Sequence, residues 1–327
     1  MKRTLLASVV ALLIAGVAHS ATPVPPTPQK ITDGVWLIPG SYPPDRQPDG
    51  NTIVWRAKGG LIVMDTGRHT WHRRAILDFA KAQNLPVIAI INSHWHLDHN
   101  SGNRDIKAAY PGAKIYTGTA VERMIRDFFP ASVERSKAYL AAGNVAPVEA
   151  EEIQGDIDTR SPPDALKPDV AITGNRTFTF GGRALELRVA PNAATDGDVW
   201  VYDARTHIAA TGDLITLPVP FLDTACVKGW RAGLDAVAAT PFTVVIPGHG
   251  APMTRAQFLS YKAAFDAYVN CAQGSADKAV CTEGWLKSTA DLRAPEAPDD
   301  ARATAMAGEY VDFLRQNGGN GMRCLVP

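Results

Sequence analysis

Four residues crowded into six positions carry the chain's clearest chemistry: His94, His96, Asp98 and His99, within PVIAIINSHWHLDHNSGN at 86–103. Three of the eight histidines fall here, interleaved with a carboxylate, so the pattern reads as a spacing motif rather than a stray loop histidine. Imidazole and carboxylate together suit zinc, with iron and manganese as alternatives. In an extended segment side chains alternate, which puts His94, His96 and Asp98 on one face. Trp95 and Leu97 then face the other way and can anchor the loop in the core. His99 breaks the alternation and can serve a second metal beside the first.

The element that must hold these residues is the run before them. Val87, Ile88, Ile90 and Ile91 show no polar alternation, as expected of a strand buried on both faces in a sheet covered by helices. The polar groups begin where that strand should end, which is where open α/β sheets place their sites. Short strands are expected at 35–38, 52–57 and 61–64, with Gly59-Gly60 as a hairpin turn. Residues 71–84 read as an amphipathic helix with Ile76, Leu77, Phe79 and Ala80 inward, and His69 and His72 as surface or helix-entry residues, the alternative being that one approaches the metals.

After a strand at 113–116, residues 118–170 read as an insertion. It has helices over 120–129 and 132–142 and a Pro- and Asp-rich loop over 155–168. Met124, Phe128, Phe129 and Tyr139 are candidates for an apolar wall near a site, the alternative being ordinary helix core. Strand pairs follow at 177–180 with 184–189 and at 199–203 with 208–211, where His207 reads as structural. The last buried strand is 244–246. Thr254 caps a helix over 255–270, and another covers 300–315.

The HxHxDH stretch resembles the signature of the metallo-β-lactamase superfamily. The likeness runs from about Val35 to His249 and takes in LIVMDTG (61–67), ATGDLI (210–215) and VVIPGHG (244–250) in matching order. It implies an α/β fold, an αββα sandwich of two mixed sheets flanked by helices, with metals at the rim. It also implies metal ligands: His94 and His96 for a first metal, and Asp98, His99 and His249 for a second. Asp213 would bridge the two, and Asp65 would support the metal loop from behind.

One ligand is missing. Where the family pattern resembles N-A-H-T-D-G-D, this chain reads Asn192-Ala193-Ala194-Thr195-Asp196-Gly197-Asp198. Ala194 stands at the third histidine of the first site. The expectation is therefore one zinc bound tightly and a second bound weakly or not at all, since losing even an outer partner costs about 10–100-fold in metal affinity. Asn192 and Asp196 are the nearby groups that could reach across.

The resemblance implies metal-assisted hydrolysis by an activated water, with Asp98 orienting the nucleophile and taking up its proton. Family β-lactamases usually carry Cys or Ser where Asp213 lies, so Asp213 favours an ester, lactone or thioester over a β-lactam amide. The missing histidine argues against an iron-dependent persulfide dioxygenase. A member that binds a ligand or partner without turnover is the reading from a different class.

Composition bounds the rest. The 327 residues carry 33 basic and 33 acidic side chains, which removes the electrostatic footprint of a nucleic-acid binder. A small-molecule substrate is expected. The charged start Met1-Lys2-Arg3, the apolar run from Leu5 to Val17 and the small residues around Ala18-His19-Ser20 read as a signal peptide over 1–20. That implies a periplasmic or secreted protein with no stable membrane span after cleavage. Residues 21–327 then read as one domain with a tail over 271–327. The four cysteines allow three pairings. Cys271–Cys281 is preferred because it closes a short loop, leaving Cys226–Cys324 to tie down the tail, and free buried thiols are the alternative.

Overall fold

The computed structural model describes residues 24–293, 300–321 and 324; the stretch read as a signal peptide, 1–20, lies outside them. The first sheet holds seven strands in chain order: β1 (Gln29–Thr32), β2 (Val35–Ile38), β3 (Thr52–Ala57), β4 (Gly60–Met64), β5 (Val87–Asn92), β6 (Lys114–Gly118) and β7 (Val170–Ile172). The pairs from β1 to β4 are antiparallel, and β4 to β7 are parallel. The second sheet holds β8 (Arg176–Phe180), β9 (Arg183–Ala190), β10 (Asp198–Asp203), β11 (Ile208–Ala210), β12 (Val244–Ile246) and β13 (Met253–Thr254), in spatial order 13-12-11-10-9-8. Within it only β11 and β12 run parallel.

Three apolar layers bind these sheets. Between them, Trp55, Ile62, Met64 and Ile91 of the first meet Leu185, Val199, Val201 and Ile246 of the second. The far face of the first sheet buries Val54, Val63 and Ile90 against α1 (Thr70–Ala82). The short helices α2 (Leu97–Asn100) and α3 (Asn103–Ala109) follow β5, and α3 adds Ile106 to that layer. The far face of the second sheet packs on α7 (Val227–Ala238), α8 (Arg255–Gln273), α9 (Lys278–Ser288) and α10 (Asp300–Gln316). The order helix, sheet, sheet, helix is the αββα sandwich. Burial on both faces explains why β5 reads as an unbroken apolar run.

Between β6 and β7 lie α4 (Ala120–Asp127), α5 (Phe129–Ala141) and α6 (Pro147–Arg160). Here the expectation of a loop over 155–168 holds only in part: α6 runs on through Arg160, and a 3-10 turn over Pro163–Leu166 follows. Pro147 sits in the first helical turn, where its missing N–H costs nothing, and Glu149 complements the helix dipole. The helix stops at Arg160, just before Ser161-Pro162-Pro163. Ile157 is its one fully buried residue, so an apolar periodicity never develops.

Helices α7 and α9 also go unread in the sequence, as does β1. Both helices contain glycine. In α7 there is a packing reason: a Cβ on Gly229 would lie 1.6 Å from the carbonyl oxygen of Asn192. Only glycine lets the helix sit against the loop that carries Ala194.

Both disulfides form in the preferred pairing, Cys226–Cys324 and Cys271–Cys281. The helix expected from Thr254 is α8, where the Thr254 and Gln257 side chains each bond the other's backbone N–H. No helix among the described residues is long and apolar enough to cross a membrane.

Candidate metal centre

The six expected ligands converge from the C-terminal ends of strands in both sheets. His94, His96, Asp98 and His99 follow β5, Asp213 follows β11, and His249 follows β12. The loop does not stay extended as expected. It turns helical at Leu97, so Asp98 and His99 are neighbours within α2 rather than alternating residues of a strand. That turn, not a broken alternation, brings both to one metal position. Trp95 and Leu97 are buried, but Trp95 packs under the insertion, against Val121, Met124, Phe129 and Leu166.

Asp98, His99, Asp213 and His249 form the first cluster of possible ligands. His99 Nε2 lies 3.2 Å from His249 Nε2, 3.1 Å from Asp213 Oδ1 and 3.3 Å from Asp98 Oδ2. His249 Nε2 lies 3.0 Å from Asp98 Oδ2 and 3.5 Å from Asp213 Oδ1. A regular tetrahedron with edges in this range has its centre about 2.0 Å from each corner, the bond length of zinc to nitrogen and oxygen. His94, His96 and Asp213 form a second cluster, with His94 Nε2 3.6 Å from Asp213 Oδ2. Asp213 thus turns one oxygen to each cluster. Both of its oxygens and His94 Nε2 are buried with no hydrogen-bond partner. Such atoms are costly unless a cation completes them, so the donor set fits a metal pair.

The electrostatics agree. Burial opposes charging His99, but the carboxylates of Asp213, Asp98 and Asp65 outweigh it and hold its pKa well above the ordinary value. Asp213 and Asp98 are held low against their own burial, chiefly by His99. Burial, with His99 and His96 nearby, pushes His94 well down. The four-ligand cluster draws positive charge, which a metal supplies by displacing the proton on His99.

The supports are specific. Asp65 adopts a left-handed backbone, φ 60°, directly after β4. Its carboxylate accepts from Ser93 N and Ser93 Oγ, each at 2.7 Å, and from His99 Nδ1 at 2.9 Å. That leaves His99 Nε2 for the cluster, the orientation a carboxylate behind a metal-binding histidine provides. A Cβ on Gly248 would lie 2.1 Å from Asp213 Oδ1, so the Pro247-Gly248-His249 turn needs glycine to approach the bridging carboxylate.

Ala194 is buried beside the second cluster, and Thr224 crosses to it. Thr224 Oγ1 donates to Ala194 O at 3.0 Å and stands 3.2 Å from His96 Nε2. A hydroxyl has one proton, so it must accept from His96 Nε2–H. The tautomer follows, and Nδ1 is the nitrogen left with a lone pair. Of the two groups near the missing histidine, Asp196 is engaged elsewhere. Asp196 accepts from Trp95 Nε1 at 3.0 Å and from Arg123 at 3.0 Å. Asn192 lies where its carbonyl meets α7.

His69 and His72 are not surface residues. His69 Nδ1 donates to Asp49 Oδ2 at 2.8 Å, while Nε2 faces Glu152 of α6 at 2.9 Å. His72 is fully buried, with Nε2 2.8 Å from Thr52 Oγ1. The turn after Asp65 folds them inward, and His69 ties the insertion to the loop beside the metal centre. His207 pairs with Tyr202 OH at 3.1 Å, remote from the centre. Neither Thr224 nor Asp49 was legible in the sequence, because single Thr and Asp residues far from the motif carry no spacing signal.

A cavity of about 840 Å³ opens onto Asp98 and His96. That is the size of a small-molecule site. Met124, Phe128 and Phe129 line it, as does Phe221, whereas Tyr139 is half exposed and bonds Glu149 instead.

A histidine–carboxylate cluster at the rim of an αββα sandwich, beside a substrate-sized cavity, is a candidate metal-binding site. The chain belongs to the Metallo-beta-lactamase superfamily, whose sequence model matches residues 46–249. It is 31% identical over 80 residues to the hydroxyacylglutathione hydrolase of Gloeobacter violaceus, a match covering 22% of this chain and 32% of that protein. The chain thus spans about a third of that curated relative. Among solved structures it resembles a metallo-beta-lactamase family protein from Thermus thermophilus, at 18% identity, covering 88% of this chain and 95% of that one, with a TM-score of 0.56. It also resembles a stereoselective inverting sec-alkylsulfatase from Pseudomonas sp., at 18% identity, covering 92% of this chain and 52% of that one, with a TM-score of 0.59. These structural likenesses establish the fold.

Proposed function

We propose that the protein is a zinc-dependent hydrolase of an ester, lactone or thioester, with a β-lactam amide as a lesser substrate. The observation that carries this is the placement of Asp213, one oxygen toward each cluster, beside Asp98, which lines the cavity. The partial likeness to a hydroxyacylglutathione hydrolase supports acyl rather than β-lactam chemistry. A metal bound here would lower the pKa of a water to about 7 and polarise a carbonyl.

The chain's own residues do the rest. Asp98, His99, Asp213 and His249 would hold the tighter metal, and His94, His96 and Asp213 the weaker one. Asp98 has one oxygen within 3.0 Å of His249 and lines the cavity, so its carboxylate can orient the attacking water and take its proton. Asp213 fixes the separation of the two clusters. Phe128, Phe129 and Phe221 exclude water from the acyl side. The two disulfides suit an oxidising compartment, consistent with export.

The test is a panel of lactones, thioesters, aryl esters and β-lactams assayed with and without a chelator. Turnover of acyl esters that the chelator abolishes, and that Asp98→Asn lowers about 10²–10⁴-fold, is the expected result. β-Lactams outrunning every ester would overturn the substrate class. No turnover at any metal loading would favour a non-catalytic binding protein.

A further inference from the structure

The cavity beside the metal centre contains charge that hydrolysis does not use. Arg68, from the turn after β4, and Arg160, the last residue of α6, both line its wall. They share the carboxylate of Asp156, and Arg68 also faces Asp98 and Glu152. Arg68 Nη1 bonds Asp156 Oδ1 at 2.5 Å, while Arg160 Nη2 stands 3.7 Å from Asp156 Oδ2, beyond hydrogen-bond reach. Arg160 otherwise lies over the ring of Phe129, 5.8 Å from its centroid. The Nε atoms of both arginines are buried without a partner, and both side chains are only 15% exposed.

Arg160 is therefore a guanidinium in a largely desolvated wall whose nearest carboxylate stands beyond hydrogen-bond reach. Burial, together with Arg68 and Arg135 nearby, pushes the Arg160 pKa down, as expected of a cation short of counter-charge. The other cavity carboxylates do not relieve it. Asp98 belongs to the metal centre, Asp196 is held by Trp95 and Arg123, and Asp223 is paired with Tyr310. Arg46, also in the wall, is matched by Glu151 and Glu152. Met124, Phe128 and Phe129 line the same cavity as Arg160 and Asp98, an apolar surface suited to an acyl chain.

We infer that the substrate is an acyl derivative carrying its own carboxylate at the far end, with the carboxylate held by Arg160 and Arg68, the chain on Met124, Phe128 and Phe129, and the scissile carbonyl at Asp98. Guanidinium forks match a carboxylate bidentately, so a charged end should be selected over a methyl end. This rests on the hydrolase reading above, but the recognition can be measured without turnover.

The test uses calorimetric titration of octanoate and of 1-octanol into chelator-treated protein, so that no metal binds the carboxylate. Octanoate should bind at least tenfold more tightly. Arg160→Gln should bring that ratio toward one, and Arg160→Lys, which keeps the charge, should restore part of it; circular dichroism checks that each variant is folded. In a parallel assay of the zinc-loaded protein, the 4-nitrophenyl half-ester of adipate should be preferred in kcat/KM over 4-nitrophenyl hexanoate, and Arg160→Gln should shrink that preference. Equal binding of octanoate and octanol by the unmodified protein, or a ratio that Arg160→Gln leaves unchanged, would overturn the inference. Selective octanoate binding with no ester turnover would uphold this subsite and refute the hydrolase reading.

Discussion

Thr224 Oγ1 stands 3.2 Å from His96 Nε2, and by donating to Ala194 O it ties the one short-handed metal cluster to the residue that leaves it short. Its hydroxyl fixes the His96 tautomer. Thr224→Val keeps the shape and removes the hydroxyl. The expected outcome is a loss of about 10–100-fold in affinity at the His94–His96 position, with the Asp98–His99–Asp213–His249 position unchanged. Competitive titration with a chromophoric chelator reads the two affinities separately. Equal loss at both would show that Thr224 supports the fold rather than one ligand.

Asp65 plays the matching part for the other cluster. With its carboxylate 2.9 Å from His99 Nδ1, Asp65→Asn replaces a charged acceptor with a neutral amide. The tight metal should weaken about 10–100-fold. The same chelator titration measures it, and an unchanged affinity would contradict the support assigned to Asp65.

Gly248→Ala would drive a methyl group against Asp213 Oδ1, where a Cβ falls at 2.1 Å. Asp213 must move, and it contributes to both clusters. Metal content after dialysis should fall at both positions together. Loss at only one would mean that Asp213 does not bridge.

The link from His69 to the insertion should respond to pH. Burial opposes its protonation, but bonds to Asp49 and Glu152 win and raise its pKa above the ordinary 6.5. A histidine raised in the folded state stabilises fully below its unfolded pKa, and that contribution fades as pH rises through the folded value. His69→Gln should therefore cost about 1–2 kcal/mol near pH 6 and less near pH 9, read from urea unfolding at the two pH values. A cost that grows with pH would contradict the assignment.

Much of this architecture was readable before any coordinates. The apolar run of β5 marked a doubly buried strand, and the turn residues marked most of its neighbours. Helix α6 was not readable, because its surface is polar nearly all round and Ile157 alone is fully buried. Helix α7 hid behind Gly229 and Gly233, the first of which serves packing on the Asn192 loop. The HxHxDH motif announced its own residues through spacing. His69 and His72 looked like surface residues because nothing local signals that Asp49 and Thr52, some 20 positions upstream, will bury them. Arg68 and Arg160 lie 92 positions apart and meet only because α6 folds back over the turn after β4.

The two candidate metal positions are uneven, one with four ligands and one lacking the ligand that Ala194 replaces. Zinc per chain after exhaustive dialysis tests this unevenness most directly, on the unmodified protein, Ala194→His and His249→Ala side by side. The expected contents are about one tightly held zinc, about two and about none, in that order, with hydrolysis rising in Ala194→His. Two tightly held zincs in the unmodified protein, or no change on restoring the histidine, would contradict it.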